Sequence, residues 1–134
     1  MNQISFHTNA LFEDVRYDPN SSDWIFRFSS SISVAASSFW RLLDNGKIRL
    51  VSLDHGHQFG LPNPVDMTEE LSVCLKGKTL TGIAVINDTG DLKLSFTNNI
   101  ELEIFVTSTG YESYQFEVAG KKYIALGGGE IAIF

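Results

Sequence analysis

Apolar and polar residues alternate along much of the chain, and a period of two is typical of β-strands with one buried face. The alternation first becomes regular at Trp24, Phe26 and Phe28, which predicts a strand there. Residues 1–23 are mixed in character and end in YDPNSSD, a cluster of turn-forming residues that predicts a loop. We therefore expect the ordered strands to begin after this loop.

A long hairpin is predicted over residues 31–53, with its turn at Asn45 and Gly46. This dipeptide favours the two-residue turn that reverses the chain between antiparallel strands. The resulting register places an ion pair beside the turn and apolar pairs behind it. The expected partners are Asp44 with Lys47, Leu43 with Ile48, Arg41 with Leu50, and Trp40 with Val51.

The second half of the chain reads as an antiparallel meander of short strands. Loops over 87–90 and 97–99, and a turn at Ala119 and Gly120, keep apolar residues opposite apolar residues. A glycine run over 127–129 then leads into a last strand. Thr81, Ile83 and Val85 are expected on one face of the first of these strands, and the expected pairs are Val85 with Leu92, Ile83 with Leu94, Phe96 with Ile100, Leu94 with Leu102, Lys93 with Glu103, Glu117 with Lys122, Phe116 with Tyr123, and Tyr114 with Ala125.

A short helix is predicted over 67–76, where apolar residues recur at helical spacing. Asp66 can cap its first turn, and Gly77 can end it. The fold class is therefore mainly β within the α+β class: an antiparallel β-meander sheet that can curl into a sandwich or half-barrel, with one short helix near residues 67–76. No fixed repeat and no linker divides the chain, so we expect a single domain over 1–134.

The charge of the chain argues against one class of partner. Sixteen Asp and Glu against ten Lys and Arg give a formal net charge of −6, and no basic stripe interleaved with aromatic residues occurs. Phosphate contacts require concentrated Lys and Arg, so no nucleic-acid partner is expected. An acidic chain is suited instead to a basic protein surface, because opposite potentials speed encounter and fix register.

The remaining composition predicts the compartment. Cys74 is the only cysteine, so no intramolecular disulfide can form, and a reducing compartment suits the chain. The first residues lack the basic start and apolar run of a signal peptide, and no stretch approaches the ~20 apolar residues of a membrane span. We expect a cytoplasmic protein with no membrane partner.

The stretch DHGHQFGLPNPVD, residues 54–66, is the candidate for chemistry. In an extended loop His55 and His57 would project on the same side and could share a metal ion with Asp54, which would make the chain a small metal- or ligand-binding enzyme. The alternative is a stiff structural loop whose glycines permit turns, whose prolines restrict the backbone and whose acids and imidazoles bond the loop itself. We favour the structural loop and expect it to depend on Asp54, His55, Gly56, His57, Gly60, Pro62, Pro64 and Asp66.

Other catalytic patterns are weaker still. No GxSxG elbow occurs, and Cys74 falls on the apolar stripe of the predicted helix, where a thiol is usually a small hydrophobic group. The glycines at 127–129 precede a strand and not a helix, unlike a phosphate-binding loop. The sequence therefore predicts no catalytic residue, no metal and no cofactor, and we expect the chain not to be an enzyme.

Three segments, in this order, resemble a family of small bacterial immunity proteins of polymorphic-toxin and contact-dependent growth inhibition systems: FWRLLDNGKIRLVSLDHGHQFGLPNPVD, TGDLKLSF and GYESYQFEVAGKKYIALGGGEIAIF. The resemblance covers residues 39–134, and its most specific parts are DHGHQFGLPNPVD and GGGEIA. It implies a stoichiometric inhibitor that binds a cognate toxin domain in the cytoplasm and blocks the toxin's active site. It supplies no catalytic residues.

The partner expected on this hypothesis is a basic toxin domain, and a nuclease with a positively charged cleft would fit an acidic inhibitor. A third hypothesis is an accessory scaffold protein that associates through a sheet edge. Solvated faces are an alternative role for every candidate acid. The candidate toxin-binding residues are Glu101, Glu103, Tyr111, Glu112 and Glu117.

Overall fold

A computed structural model describes residues 3–134, so the first two residues of the predicted domain lie outside the described range. Its secondary structure is eleven strands and one α-helix, with short 3₁₀ turns at Ser52–Asp54 and Thr97–Asn99. The elements are β1 (Ser5–Asp18), β2 (Asp23–Phe28), β3 (Ser33–Ala36), β4 (Trp40–Asp44), β5 (Lys47–Val51), α1 (Met67–Leu75), β6 (Thr79–Val85), β7 (Leu92–Phe96), β8 (Ile100–Ile104), β9 (Tyr114–Val118), β10 (Lys121–Gly127) and β11 (Glu130–Ile133).

All eleven strands belong to one antiparallel sheet, in the order β11-β10-β9-β3-β2-β1-β6-β7-β8-β4-β5. The sheet is open, with β11 and β5 at its edges. The predicted class, a mainly antiparallel β fold with one short helix, is confirmed. The prediction that strands begin only after residue 23 is wrong, because β1 is the longest strand, at 14 residues.

Strand β1 lies in the middle of the sheet and pairs with β6 along its first part and with β2 along its second. Its register with β6 shifts between His7 and Ala10, and its register with β2 shifts between Phe12 and Asp14. Such irregularities bend a strand and let it pass from one sheet layer to another. The two halves of the sheet can therefore face each other across one core.

Aromatic contacts between the halves show this folding directly. Trp24 on β2 meets Trp40 on β4 edge to face, with ring centroids 5.2 Å apart. The rings of Phe28 on β2 and Phe96 on β7 are 6.0 Å apart. The indole of Trp40 is fully buried, although the two strands that carry these tryptophans are not neighbours in the sheet. The inner faces of both halves therefore form one apolar core.

The predicted meander is confirmed in its registers. The expected pairs of β6 with β7, β7 with β8 and β9 with β10 all occur. One detail of the first strand is wrong: Thr81 is exposed instead of sharing a face with Ile83, because the register shifts between Leu80 and Gly82. The last strand follows the glycine run as predicted.

The hairpin predicted over 31–53 is only partly right. The turn at Asn45 and Gly46 and the register pairs of Leu43 with Ile48 and of Asp44 with Lys47 are confirmed. Beyond them a bulge shifts the register, so that Leu50 faces Leu42 and not Arg41, and Val51 faces Arg41 and not Trp40. The bulge also brings Arg49, and not Lys47, into the ion pair with Asp44, at 2.9 Å. In addition, β3 is not part of this hairpin and pairs instead with β2 and β9.

Helix α1 packs against β1 and β5 and starts and ends close to where the sequence predicted. Asp66 accepts a hydrogen bond from the backbone N–H of Thr68, at 2.9 Å, and Gly77 follows the helix with a φ of +75°. Within residues 3–134 no helix is long and apolar enough to span a bilayer.

Three consecutive glycines, the last residue of β10 and the two that connect it to β11, have positive φ angles of +107°, +63° and +91°. The α-carbon of Gly129 packs against the backbone of the β6–β7 turn. A Cβ added there would overlap the carbonyl oxygen of Asp88. A Cβ added at Gly128 would meet only the carbonyl oxygen of Thr109, at an ordinary contact distance of 3.6 Å. The two neighbouring glycines thus differ in packing while sharing a left-handed backbone.

We predict that Gly129→Ala costs roughly 3 kcal/mol or more of unfolding free energy, since it combines backbone strain with a backbone clash. Gly128→Ala is the matched control and should cost about 1 kcal/mol, the penalty for a left-handed alanine alone. Urea unfolding of both variants measures the difference. Equal losses would contradict the close approach of Gly129 to Asp88.

Candidate functional site

The loop over residues 54–66 is closed by its own backbone. Gly56 donates its N–H to the carbonyl oxygen of Val65, and Val65 donates to that of His57, each at 2.8 Å. The N–H of His57 also bonds the carbonyl oxygen of Asp54, at 3.1 Å. Gly56 and Gly60 have φ angles of +82° and +75°, which favour glycine at both bends. The loop is thereby held in one shape.

The two histidines of the loop have separate surroundings. The ring of His55 lies against Tyr17 and Trp24, with centroids 4.8 and 5.0 Å apart. Its Nδ1 accepts the backbone N–H of Met67, the first residue of α1, at 3.1 Å. His57 is exposed and stacks on Phe59. The metal alternative required an extended loop, whereas residues 52–56 form turns.

This separation bears on the metal-site hypothesis. Among residues 3–134, no three or more His, Cys, Asp and Glu side chains cluster closely enough to hold a metal ion. A nitrogen that accepts an N–H must carry its lone pair, so the bond to Met67 occupies the Nδ1 lone pair of His55. The imidazole of His55 therefore caps the first turn of α1.

A groove of about 510 Å³ opens beside His55 at the junction of the two halves of the sheet. Its floor is aromatic, and its rim carries two exposed apolar side chains, Phe39 at 38% and Leu53 at 66% exposure. Among residues 3–134, no Asp, Glu, Lys or Arg side chain lines it. The remaining lining side chains are aromatic or polar: Tyr17, Ser22, Trp24, Ser37, Ser38, Ser52, His55 and Thr107.

Several hydroxyl groups of the groove are used to hold neighbouring loops. Ser37 and Ser38 donate to the carbonyl oxygens of Glu112 and Ser113, each at 3.1 Å. Ser52 accepts the backbone N–H of Trp40 at 2.9 Å. No serine hydroxyl of the described residues bonds an imidazole, which is the contact that activates a nucleophile. The arrangement can bind and orient an apolar group.

A smaller acidic notch of about 100 Å³ adjoins the groove, and Ser37 lines both. Asp23 and Glu112 supply its charge, and neither belongs to any ion pair formed within residues 3–134. Asp23 was missed in the sequence because it stands at the end of the turn cluster YDPNSSD. Only the pairing of β2 with β3 brings it near Glu112.

The other predicted acids lie elsewhere and have partners. Glu101 pairs with Lys93 at 3.2 Å, and Glu103 pairs with Arg41 at 2.6 Å, on the outer face of β8. Glu117 lies on β9 and pairs with Lys122 at 3.6 Å. Because the inner faces of the halves pack together, β8 and β9 turn their outer faces in different directions. Tyr111, at 81% exposure, and Glu112 are the candidates that lie on the loop beside the groove.

Tyr114 forms the inner wall of the acidic notch. Its hydroxyl is buried and donates to the carbonyl oxygen of Gly90 at 2.6 Å, which ties β9 to the β6–β7 turn. Burial raises the pKa of Tyr114 above its usual value, and the nearby carboxylate of Asp91 raises it further. The phenol is therefore a structural donor that must stay protonated.

The sequence matches no protein-family model and no curated protein, and the fold matches no solved structure.

We predict that replacing Tyr114 by Phe costs about 1 kcal/mol of unfolding free energy near neutral pH, through the lost hydrogen bond. Because the folded pKa is raised, the contribution of the phenol is fully present below its unfolded pKa of about 10 and declines as the pH rises above it. The difference between wild type and Tyr114→Phe should therefore shrink from about pH 10 upward, as measured by urea unfolding. A constant difference would contradict a buried phenol.

We also predict unequal roles for the two imidazoles. His55→Ala should cost about 2 kcal/mol of unfolding free energy, since it removes both a helix cap and a ring packed against two aromatic side chains. His57→Ala is the control and should change stability by less than about 0.5 kcal/mol, because the ring is exposed. Chemical unfolding of both variants decides this. Similar losses would contradict separate surroundings.

Proposed function

We propose that this chain is an immunity protein, which binds a cognate toxin domain and blocks the toxin's active site without any chemistry of its own. The observation that carries the proposal is the groove, an aromatic surface with an exposed apolar rim, next to an acidic notch whose carboxylates form no ion pair within residues 3–134. The resemblance to immunity proteins of contact-dependent growth inhibition systems supports the same class. The proposed partner is a basic toxin domain, such as a nuclease, acting in the cytoplasm.

Exposed apolar side chains supply the expected anchors. Besides Phe39 and Leu53 in the groove, the adjoining loop presents Phe59 at 65% and Leu61 at 50% exposure. Interfaces draw most of their binding energy from a few such side chains that become fully desolvated. Clustered exposure of this kind marks a contact surface more often than scattered exposure does.

The charge distribution favours a basic partner at the same place. Glu101, Glu103 and Glu117 are paired with cations of the chain itself, whereas Asp23 and Glu112 form no ion pair with any residue of the described part of the chain. A Lys or Arg of the partner could enter the notch while an apolar side chain occupies the groove. Exposed ion pairs alone contribute little, so the apolar anchor and the charge would act together.

The closed loop would also lower the entropic cost of association. Gln58 adds to its backbone bonds by donating to the carbonyl oxygen of Leu61 at 2.8 Å. A surface that is ordered before binding loses less conformational freedom when the complex forms. This is the proposed role of the glycines and prolines of residues 54–66.

The direct test uses the toxin domain encoded next to this chain's gene. The purified pair should form a one-to-one complex whose association slows as salt is added, and the chain should protect cells that express the toxin. Failure to form the complex, or failure to protect, would overturn the proposal.

We predict that Leu53→Ala and Glu112→Gln each weaken this complex by about 1–3 kcal/mol, since one removes the anchor and the other removes the charge beside it. The matched controls are Val73→Ala, an exposed apolar residue of α1 outside the groove, and Glu117→Gln, an acid paired within the chain. Titration calorimetry should show control affinities within about threefold of wild type. Equal effects of Glu117→Gln and Glu112→Gln would place the interface elsewhere.

A further inference from the structure

The two edges of the open sheet are protected to different degrees. Strand β5 carries Lys47 and Arg49, contains a bulge and packs against α1. Charges, bulges and covering elements are the usual means by which a sheet edge avoids pairing with another chain. Strand β11 has one charged residue, Glu130 at its start, and no proline. Its only strand neighbour within residues 3–134 is β10.

The backbone pairing of β11 shows which of its groups are free. Phe134 and Lys122 exchange both backbone hydrogen bonds, at 2.9 and 3.1 Å. Paired residues of an antiparallel ladder alternate between bonded and non-bonded positions, so Ile133 and Ile131 direct their N–H and C=O groups away from β10. No other segment of the described chain bonds these groups. They lie two residues apart, on the part of β11 that follows the register shift between Ala125 and Gly127 of β10.

Both faces of this edge are apolar. On the inner side Ile133 is 52% exposed, and Ile131, two residues before it, lines a cleft of about 390 Å³ together with Ile4 and Ile86. On the outer side Phe134 is 76% exposed. A strand added at this edge would gain backbone hydrogen bonds and would cover apolar side chains on both faces.

We propose that β11 pairs with β11 of a second copy of this chain, antiparallel, about a two-fold axis at Ala132. Ile131 of each copy then faces Ile133 of the other, and their free backbone groups bond across the interface. Glu130 faces Phe134 of the other copy, so the two Glu130 side chains do not oppose each other. The same strand supplies both sides, so the free groups match in number and spacing.

The long-range charge of the dimer sets its response to salt. Each chain carries a formal charge of −6, so two copies repel over about one Debye length, near 10 Å at 0.1 M salt. Added salt should therefore strengthen self-association. Added salt is expected to have the opposite effect on a complex with a basic toxin. The dimer proposal and the proposed function can therefore be tested, and can fail, separately.

The test is sedimentation equilibrium of the full chain over a range of concentrations, with four variants. Ile133→Pro removes an outward N–H that β10 does not use, and it should lower the association constant by about tenfold or more, since each dimer loses two donors. Ile133→Ala keeps that N–H and should retain more association than the proline variant. Thermal unfolding of each variant confirms that the fold is intact.

The second pair of variants identifies the edge. Ile133→Lys should abolish association, whereas Ile48→Lys, at a similarly exposed isoleucine of β5, should leave it unchanged. A chain that stays monomeric at every concentration and salt level would overturn the proposal. So would a dimer that survives Ile133→Pro and Ile133→Lys, or one that Ile48→Lys disrupts.

Discussion

The fold depends on the way a single strand serves two layers. Strand β1 pairs with β6 near its start and with β2 near its end, and each of these pairings contains one register shift. A straight strand would continue one flat sheet, whose apolar face would remain in water. The bends instead turn one half of the sheet onto the other, and the buried contact of Trp24 with Trp40 follows from that. In the sheet order, four other strands lie between β2 and β4, which carry these tryptophans.

The same folding creates the groove. Tyr17 and Trp24 come from the β1–β2 hairpin, Phe39 precedes β4, and His55 follows β5. These segments meet only because the halves close on each other, and His55 then joins their packing to the start of α1 through its bond to Met67. The groove therefore inherits the rigidity of the core and does not rely on a mobile loop for its shape.

Predictions of register were right where the apolar and polar residues of a hairpin alternate without interruption and the turn residues are recognisable, as in the strands joined at Ala119 and Gly120. Where it failed, a bulge changed the parity: in β1 the inward residues pass from even numbers, ending at Phe12, to Val15 and Tyr17. A period-two pattern cannot survive that change. In the hairpin of β4 and β5, the predicted register placed charged Arg41 opposite apolar Leu50. This mismatch was the sign of the bulge, which instead pairs Leu50 with Leu42. The groove had no such sign, because its residues are distant in sequence and meet only through tertiary pairing.

The distribution of exposed apolar side chains links the fold to interaction. Single exposed apolar residues are normal on any protein surface and need no explanation, but groups of them require one. Among residues 3–134, most of the large exposed apolar residues fall in two places, the groove with its adjoining loops and the neighbourhood of the β11 edge, whereas Leu11, Ile48 and Val73 lie elsewhere. A net charge of −6 can keep such a chain soluble while both places stay available for partners.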